Sequence, residues 1–224
     1  MTTMPTATDK NGKKGKKSKP FKLPKIISRE EARRILSIPN TETTIGLRNR
    51  TLLQVLYRAG LRVQEAANLT VDDVNLEKGF VYVQQGKGGR DRVIPLDPET
   101  ITWCKRWLER RGKVILAASG SGPDCIWFFP TLKGTQIEQR YIRFMVADYS
   151  KKANVYLMNG QKKTVIHPHT LRHCCFTELL EDGFTIREVQ EIAGHSSIQT
   201  TAVYLSVRPE QLAAKMRNRN GVEA

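Results

Sequence analysis

The first stretch with an organised pattern is SREE at residues 28–31. Ser28 and Glu31 are spaced to satisfy each other's backbone donors, which predicts a helix start and a short helix to about Ile38. A second helix is predicted from about Ile45 to Ala59, with Leu47, Leu52, Val55, Leu56 and Ala59 on its apolar side. Gly60 stops it as a left-handed residue after a helix does. LRVQEAANL reads as another short helix. The alternating segment FVYVQQGKGGRDRVIPL then reads as a β-hairpin with a glycine-rich turn and a second strand ending at Pro95. Residues 98 to 117 read as helical, SGSGPD as a loop and CIWFFP as a short buried segment. A helix over 137 to 153 turns Ile142, Met145 and Val146 inward, and a polar loop follows.

His169 to Glu181 is predicted helical and closed by Gly183. Thr185 with Glu188 forms a second capping box, opening a helix that ends at Gly194. Ser197 to Leu205 and Pro209 to Asn218 complete the helical segments, the last carrying Leu212, Ala213 and Met216 as a narrow apolar stripe. No internal repeat is visible. The expected fold is mainly α with one small antiparallel β-sheet near the middle, an α+β arrangement.

Charge changes this picture most. The 224 residues carry a formal net charge of +15. Lys10, Lys13, Lys14, Lys16, Lys17, Lys19, Lys22 and Lys25 face only Asp9 in the first 25 residues, a local +7 that leaves +8 for the rest. Residues 1–22 are polar, rich in Gly, Lys and Thr and without periodicity, and are expected to be a disordered basic tail. A basic body with a lysine tail points to a polyanion, above all nucleic acid. No apolar run approaches the length of a membrane span and no signal-peptide core precedes Ser28, so a cytoplasmic protein is expected. Cys104, Cys125, Cys174 and Cys175 form no C-x-x-C pair and read as reduced thiols in or near the core.

HTLRHCCFTELLEDG places His169, Arg172 and His173 on one stretch of helix. Two histidines four apart suggest a zinc protease, but that motif needs a glutamate after the first histidine and Thr170 stands there. Arg172 would also repel a divalent ion, so no metal site is expected. An anion site fits better. Arg172 lies three residues after His169 on the same helix face. Arg62 follows the Gly60 helix stop, Lys87 lies inside the turn GKGG, and His195 follows Gly194. Each alone reads as surface decoration; together they suggest a phosphate cage. Tyr204, nine residues after His195, is a candidate nucleophile.

In that company the chain resembles the catalytic domain of the tyrosine recombinase (phage integrase) family. LYRAGLRVQEAANLTVDDV resembles the box of the first arginine, Arg62, with Glu65 as its supporting acid. GKGGRDRVIPL resembles the hairpin of the catalytic lysine, Lys87. HPHTLRHCCFTELLEDG resembles the H-x-x-R box of His169 and Arg172, and EIAGHSSIQTTAVY the terminal box of His195 and nucleophile Tyr204.

The resemblance implies a catalytic domain over about 23–208 and a C-terminal segment, 209–224, whose apolar stripe either docks into a neighbouring subunit or folds back on its own domain. It implies cutting and rejoining of double-stranded DNA through a 3′-phosphotyrosyl bond, without ATP, cofactor or metal. A homotetrameric synaptic complex and accessory DNA-bending proteins are the implied partners, with no membrane. Lys13, Lys14, Lys16, Lys17 and Lys19 of the tail, with Arg90 and Arg92 of the hairpin, are the expected further DNA contacts. His173 is expected to pack or support rather than react. Most members carry a further DNA-clamping domain ahead of the catalytic one. The lysine-rich tail here gives a layout similar to the single-domain recombinases of fimbrial switches, or to a fragment of a larger member. Two other classes stay open on sequence: a DNA-binding regulator of the same fold, and a type IB topoisomerase-like relaxing enzyme.

Overall fold

A computed structural model of the protein describes residues 25–84, 91–119 and 125–194, with 114–119 and 159 described for the backbone alone. The elements run α1 (Arg29–Ser37), α2 (Thr44–Arg58), α3 (Val63–Asn68), β1 (Val74–Asn75), β2 (Phe80–Val83), β3 (Arg92–Pro95), α4 (Pro98–Ser119), α5 (Gln139–Lys152), β4 (Tyr156–Asn159), β5 (Lys162–Val165), α6 (Pro168–Glu181) and α7 (Ile186–Ala193).

Helix α2 is the axis of the molecule. Every residue from Gly46 to Tyr57 is buried, because α1, α3, α4 and α6 pack around it. The apolar side expected from Leu47, Leu52, Val55, Leu56 and Ala59 is core. The opposite side is also covered and carries a buried polar layer. Arg48 donates to the Pro130 carbonyl and the Tyr141 hydroxyl, and Asn49 donates to Tyr149. With no carboxylate among these partners, burial lowers the Arg48 pKa from its ordinary value, partly offset by Tyr141 and Tyr149.

The capping boxes form where the sequence places them. Ser28 N–H donates to Glu31 at 2.8 Å, and Thr185 N–H to Glu188 at 2.6 Å. Strands β1, β2 and β3 make an antiparallel sheet in that order, with Val81 opposite Ile94 and Val83 opposite Arg92. The expectation of a single sheet is corrected by a second, two-stranded one. β4 and β5 pair as a hairpin inside the stretch read as a polar loop. In CIWFFP, Phe128 and Phe129 are fully buried, whereas Ile126 is exposed. This segment is pinned by Trp107 Nε1 donating to the Phe128 carbonyl at 2.7 Å. Helix α7 packs against both α6 and β3, which brings the end of the last described helix over the sheet. Among the described residues no helix is long and apolar enough to cross a membrane. The basic tail, the hairpin turn and the two C-terminal helical segments lie outside the described residues.

Candidate active site

Gly60 adopts φ +61° after α2, and the chain then turns so that Arg62 takes the N-cap position of α3 in extended conformation. Glu65 is the third residue of that helix, and its carboxylate accepts the Arg62 backbone N–H at 2.7 Å. The carboxylate therefore sits at a helix N-terminus, where backbone dipoles favour negative charge.

Three guanidinium groups gather around it from three different elements. Arg62 donates through Nη1 to Glu65 Oε1 at 2.7 Å. Arg92, at the start of β3, donates to both oxygens, Nη1 to Oε1 at 3.0 Å and Nη2 to Oε2 at 2.8 Å. Arg172 of α6 has Nη1 4.0 Å from Oε2. Burial alone would raise the Glu65 carboxyl, but Arg92 and Arg62 outweigh it and hold it down at about 2.

The same three arginines also grip the end of α7. Arg92 Nε donates to the Ile192 carbonyl at 2.8 Å, Arg172 Nη2 to the Ala193 carbonyl, and Arg62 Nη2 to the Gly194 carbonyl at 3.3 Å. These are the orphan carbonyls of a helix C-terminus, the end that attracts cations. Gly194 at φ +62° ends the helix there, one residue before His195. Arg172 makes a further bond from Nη1 to the Gly60 carbonyl and lies over the Phe176 ring at 4.6 Å. Its side chain is 2% exposed, whereas that of Arg62 is 37% exposed.

His169 feels both Arg172 and Arg62. Burial first, then these two cations, lower its pKa from the ordinary value, so the ring is neutral near pH 7. His173 packs against His169, the rings meeting edge-on at 4.7 Å. Burial, His169 and Arg172 lower the His173 pKa to about 4. Among the described residues, no three His, Cys, Asp or Glu side chains gather as a metal-ligand group.

Arg62, His169 and Arg172, expected from the sequence, thus come together around the α3 N-terminus with Glu65. Lys87, His195, Tyr204 and Arg90 lie outside the described residues, as do Lys13, Lys14, Lys16, Lys17 and Lys19. Arg92 corrects an expectation. Read as a DNA contact, it is 6% exposed at the side chain and committed to Glu65 and the Ile192 carbonyl. The signal for this was in the strand: residues two apart share a face, and Ile94 is core.

Residues 25–211 match the model of the phage integrase family. The chain belongs to that family. It is 38% identical over 191 residues to tyrosine recombinase XerD of Pseudomonas aeruginosa, covering 85% of this chain and 60% of that protein. It is 36% identical over 194 residues to tyrosine recombinase XerA of Thermococcus kodakarensis, covering 86% of this chain and 62% of that one. The chain therefore spans about three-fifths of the length of these relatives. Among solved structures, XerA recombinase superposes with a TM-score of 0.68 at 28% identity, over 90% of this chain and 67% of that one. XerH site-specific recombinase bound to palindromic difH substrate, a post-cleavage complex, superposes with a TM-score of 0.68 at 26% identity, over 87% of this chain and 53% of that one. The fold is that of a tyrosine recombinase catalytic domain.

Proposed function

We propose that the protein is a site-specific DNA recombinase that cuts and rejoins double-stranded DNA through a covalent 3′-phosphotyrosyl bond at Tyr204. The observation that carries this reading is the surplus of cations at the α3 N-terminus among the described residues. There, three arginines share the Glu65 carboxylate, with a neutral His169 beside them.

Such a surplus suits the five-coordinate phosphorus of a transesterification, whose non-bridging oxygens gain negative charge as the nucleophile arrives. Arg62, 37% exposed at the side chain, offers N–H donors that stay charged at any physiological pH, and Arg172, held by the Gly60 and Ala193 carbonyls, adds a fixed positive charge behind it. The tyrosine hydroxyl, with an ordinary pKa of about 10, needs a proton acceptor near neutral pH. His169 has the required neutral form, and its lowered pKa keeps it neutral to below pH 6.5. Lys87 is assigned to protonate the leaving 5′-oxygen, and His195 to donate to a non-bridging oxygen. The bond energy is kept in the phosphotyrosyl link, so a 5′-hydroxyl from a second strand can reverse the step without ATP. Four protomers around two duplexes are the assembly this exchange requires.

The test is a nicked duplex whose cleavage releases a short fragment and traps the protein on DNA. A covalent adduct is expected with the wild type in EDTA and none with Tyr204→Phe, followed by ligation to a second duplex. The acid limb of single-turnover cleavage is expected below pH 6.5, because His169 must be neutral to accept the proton. An adduct that survives Tyr204→Phe, or one that needs added metal, overturns the reading.

A further inference from the structure

Arg92 is bonded through all three of its nitrogens, and no step of the chemistry above is assigned to it. Its three nitrogens point to three acceptors: Nη1 and Nη2 to the two Glu65 oxygens, and Nε to the Ile192 carbonyl. These contacts join β3 to α3 and to the last turn of α7, across 27 and 100 residues of sequence. A lysine cannot reproduce them, since one ammonium lacks the planar fork that matches both carboxylate oxygens.

The division of charge follows from burial. Glu65 could neutralise either Arg62 or Arg92. The two-pronged contact comes from Arg92, which is 6% exposed, whereas Arg62 makes one side-chain bond to Glu65 and is 37% exposed. Arg92 is therefore the stronger of the two partners of the carboxylate, and Arg62, its second partner, is the one an incoming anion can reach. Without Arg92 the existing Glu65–Arg62 pair would tighten and leave less of the Arg62 charge for an anion.

We infer that Arg92 is a positioning residue for strand cleavage: it holds and neutralises Glu65, so that Arg62 is aimed while its charge stays available to the scissile phosphate. It acts through Glu65 and does not itself touch DNA. This rests on the recombinase reading above, which assigns Arg62 to the phosphate.

The experiment compares wild type, Arg92→Gln and Arg92→Lys on three nicked duplexes in single-turnover cleavage, with thermal unfolding and DNA affinity measured beside it. The duplexes carry an ordinary phosphodiester, a methylphosphonate, or a 5′-bridging phosphorothiolate at the scissile position. The methylphosphonate replaces a charged oxygen by methyl and so needs less cationic help. The phosphorothiolate leaves without protonation and so needs no general acid. Arg92→Gln is expected to slow phosphodiester cleavage by about 100-fold, with DNA affinity within about two-fold of wild type. Its defect should shrink to about ten-fold or less on the methylphosphonate and persist on the phosphorothiolate. Arg92→Lys, which keeps the charge and nearly the volume, should fold even where Arg92→Gln does not, and show the same selective relief.

A defect equal on all three substrates overturns the inference, because Arg92 would then act only through the fold. Relief on the phosphorothiolate alone overturns it as well, placing Arg92 with the lysine hairpin. So does wild-type cleavage by both variants. A wild type that forms no adduct with any duplex overturns the recombinase reading itself and this inference with it.

Discussion

Helix α6 contributes to two ionic clusters, each centred on a largely buried carboxylate, and they are composed oppositely. Near its N-terminus Arg172 joins Arg62 and Arg92 around Glu65, the one carboxylate of this cluster among the described residues. Six residues further on, Glu178 lies among Arg29, Arg58, Glu181, Asp182 and, through Arg58, Asp97: two cations to four carboxylates. In the first cluster the carboxyl is held down at about 2. In the second, burial first and Asp182 among the neighbours raise the Glu178 carboxyl above its ordinary value, despite a 2.6 Å bond from the Tyr57 hydroxyl. Its Oε2 lacks a hydrogen-bond partner among the described residues, with Arg58 Nη1 at 3.6 Å. Burial is common to both, so it does not separate an anion site from a structural network. The sign of the surplus does.

The largest effect that tests this contrast is expected from Arg172→Lys. Charge is kept and the fork is lost, so single-turnover cleavage should fall about 10²–10³-fold. A fall of less than about five-fold on the same scale would remove the arginine cluster from the chemistry.

Glu65→Gln comes next. It leaves three arginines without their shared counter-charge, and stability at pH 7 should fall by about 3 kcal/mol. The folded-state pKa lies below the ordinary 4.5, so the contribution is complete above about pH 4.5 and is lost as pH falls toward 2. Urea unfolding across that range should show an acid-side decline in the wild type that is weaker in Glu65→Gln.

Glu178→Gln should change stability at pH 7 by under about 1 kcal/mol, because glutamine still accepts from Tyr57 and removes surplus negative charge. The pH dependence has the opposite sign. A raised folded-state pKa gives stability that is present at low pH and lost as pH rises through it. On acidification the Glu65→Gln stability should therefore approach that of wild type, while Glu178→Gln should fall further below it. The smallest effect is assigned to Arg29→Met. Arg29 and Asp182 pair at 2.6 Å but are 44% and 43% exposed at their side chains. Under about 0.5 kcal/mol should be lost, and less still in high salt. A loss near that of Glu65→Gln would erase the distinction between the clusters.

Much of this was legible in the residues, and the omissions have physical reasons. Capping boxes are local, so Ser28/Glu31 and Thr185/Glu188 could be read without knowing the fold. Arg62, Glu65, His169 and Arg172 could be picked out by motif. Their convergence on one carboxylate depends on α6 and α7 packing against distant elements, which no spacing reports. Hairpin β4–β5 was missed because Lys162, Lys163 and Thr164 are all exposed, leaving no apolar alternation. Gly160 and Gln161 between the strands, directly after Asn159, were the remaining hint. Arg92 was misread because a charge in a glycine-rich hairpin looks solvated, although Ile94 two residues on already fixed its face.

Gly60 sets a tolerance on all of this. A Cβ there would meet the Phe176 ring at 2.9 Å and the Cys175 sulfur at 3.1 Å, in a backbone conformation that side chains resist. Phe176 is the ring beneath Arg172, and the carbonyl that receives Arg172 belongs to Gly60 itself. Any side chain at position 60 would therefore shift the floor and the stop of that guanidinium together. The clearance of one hydrogen atom at position 60 fixes how accurately an arginine 112 residues later can be placed.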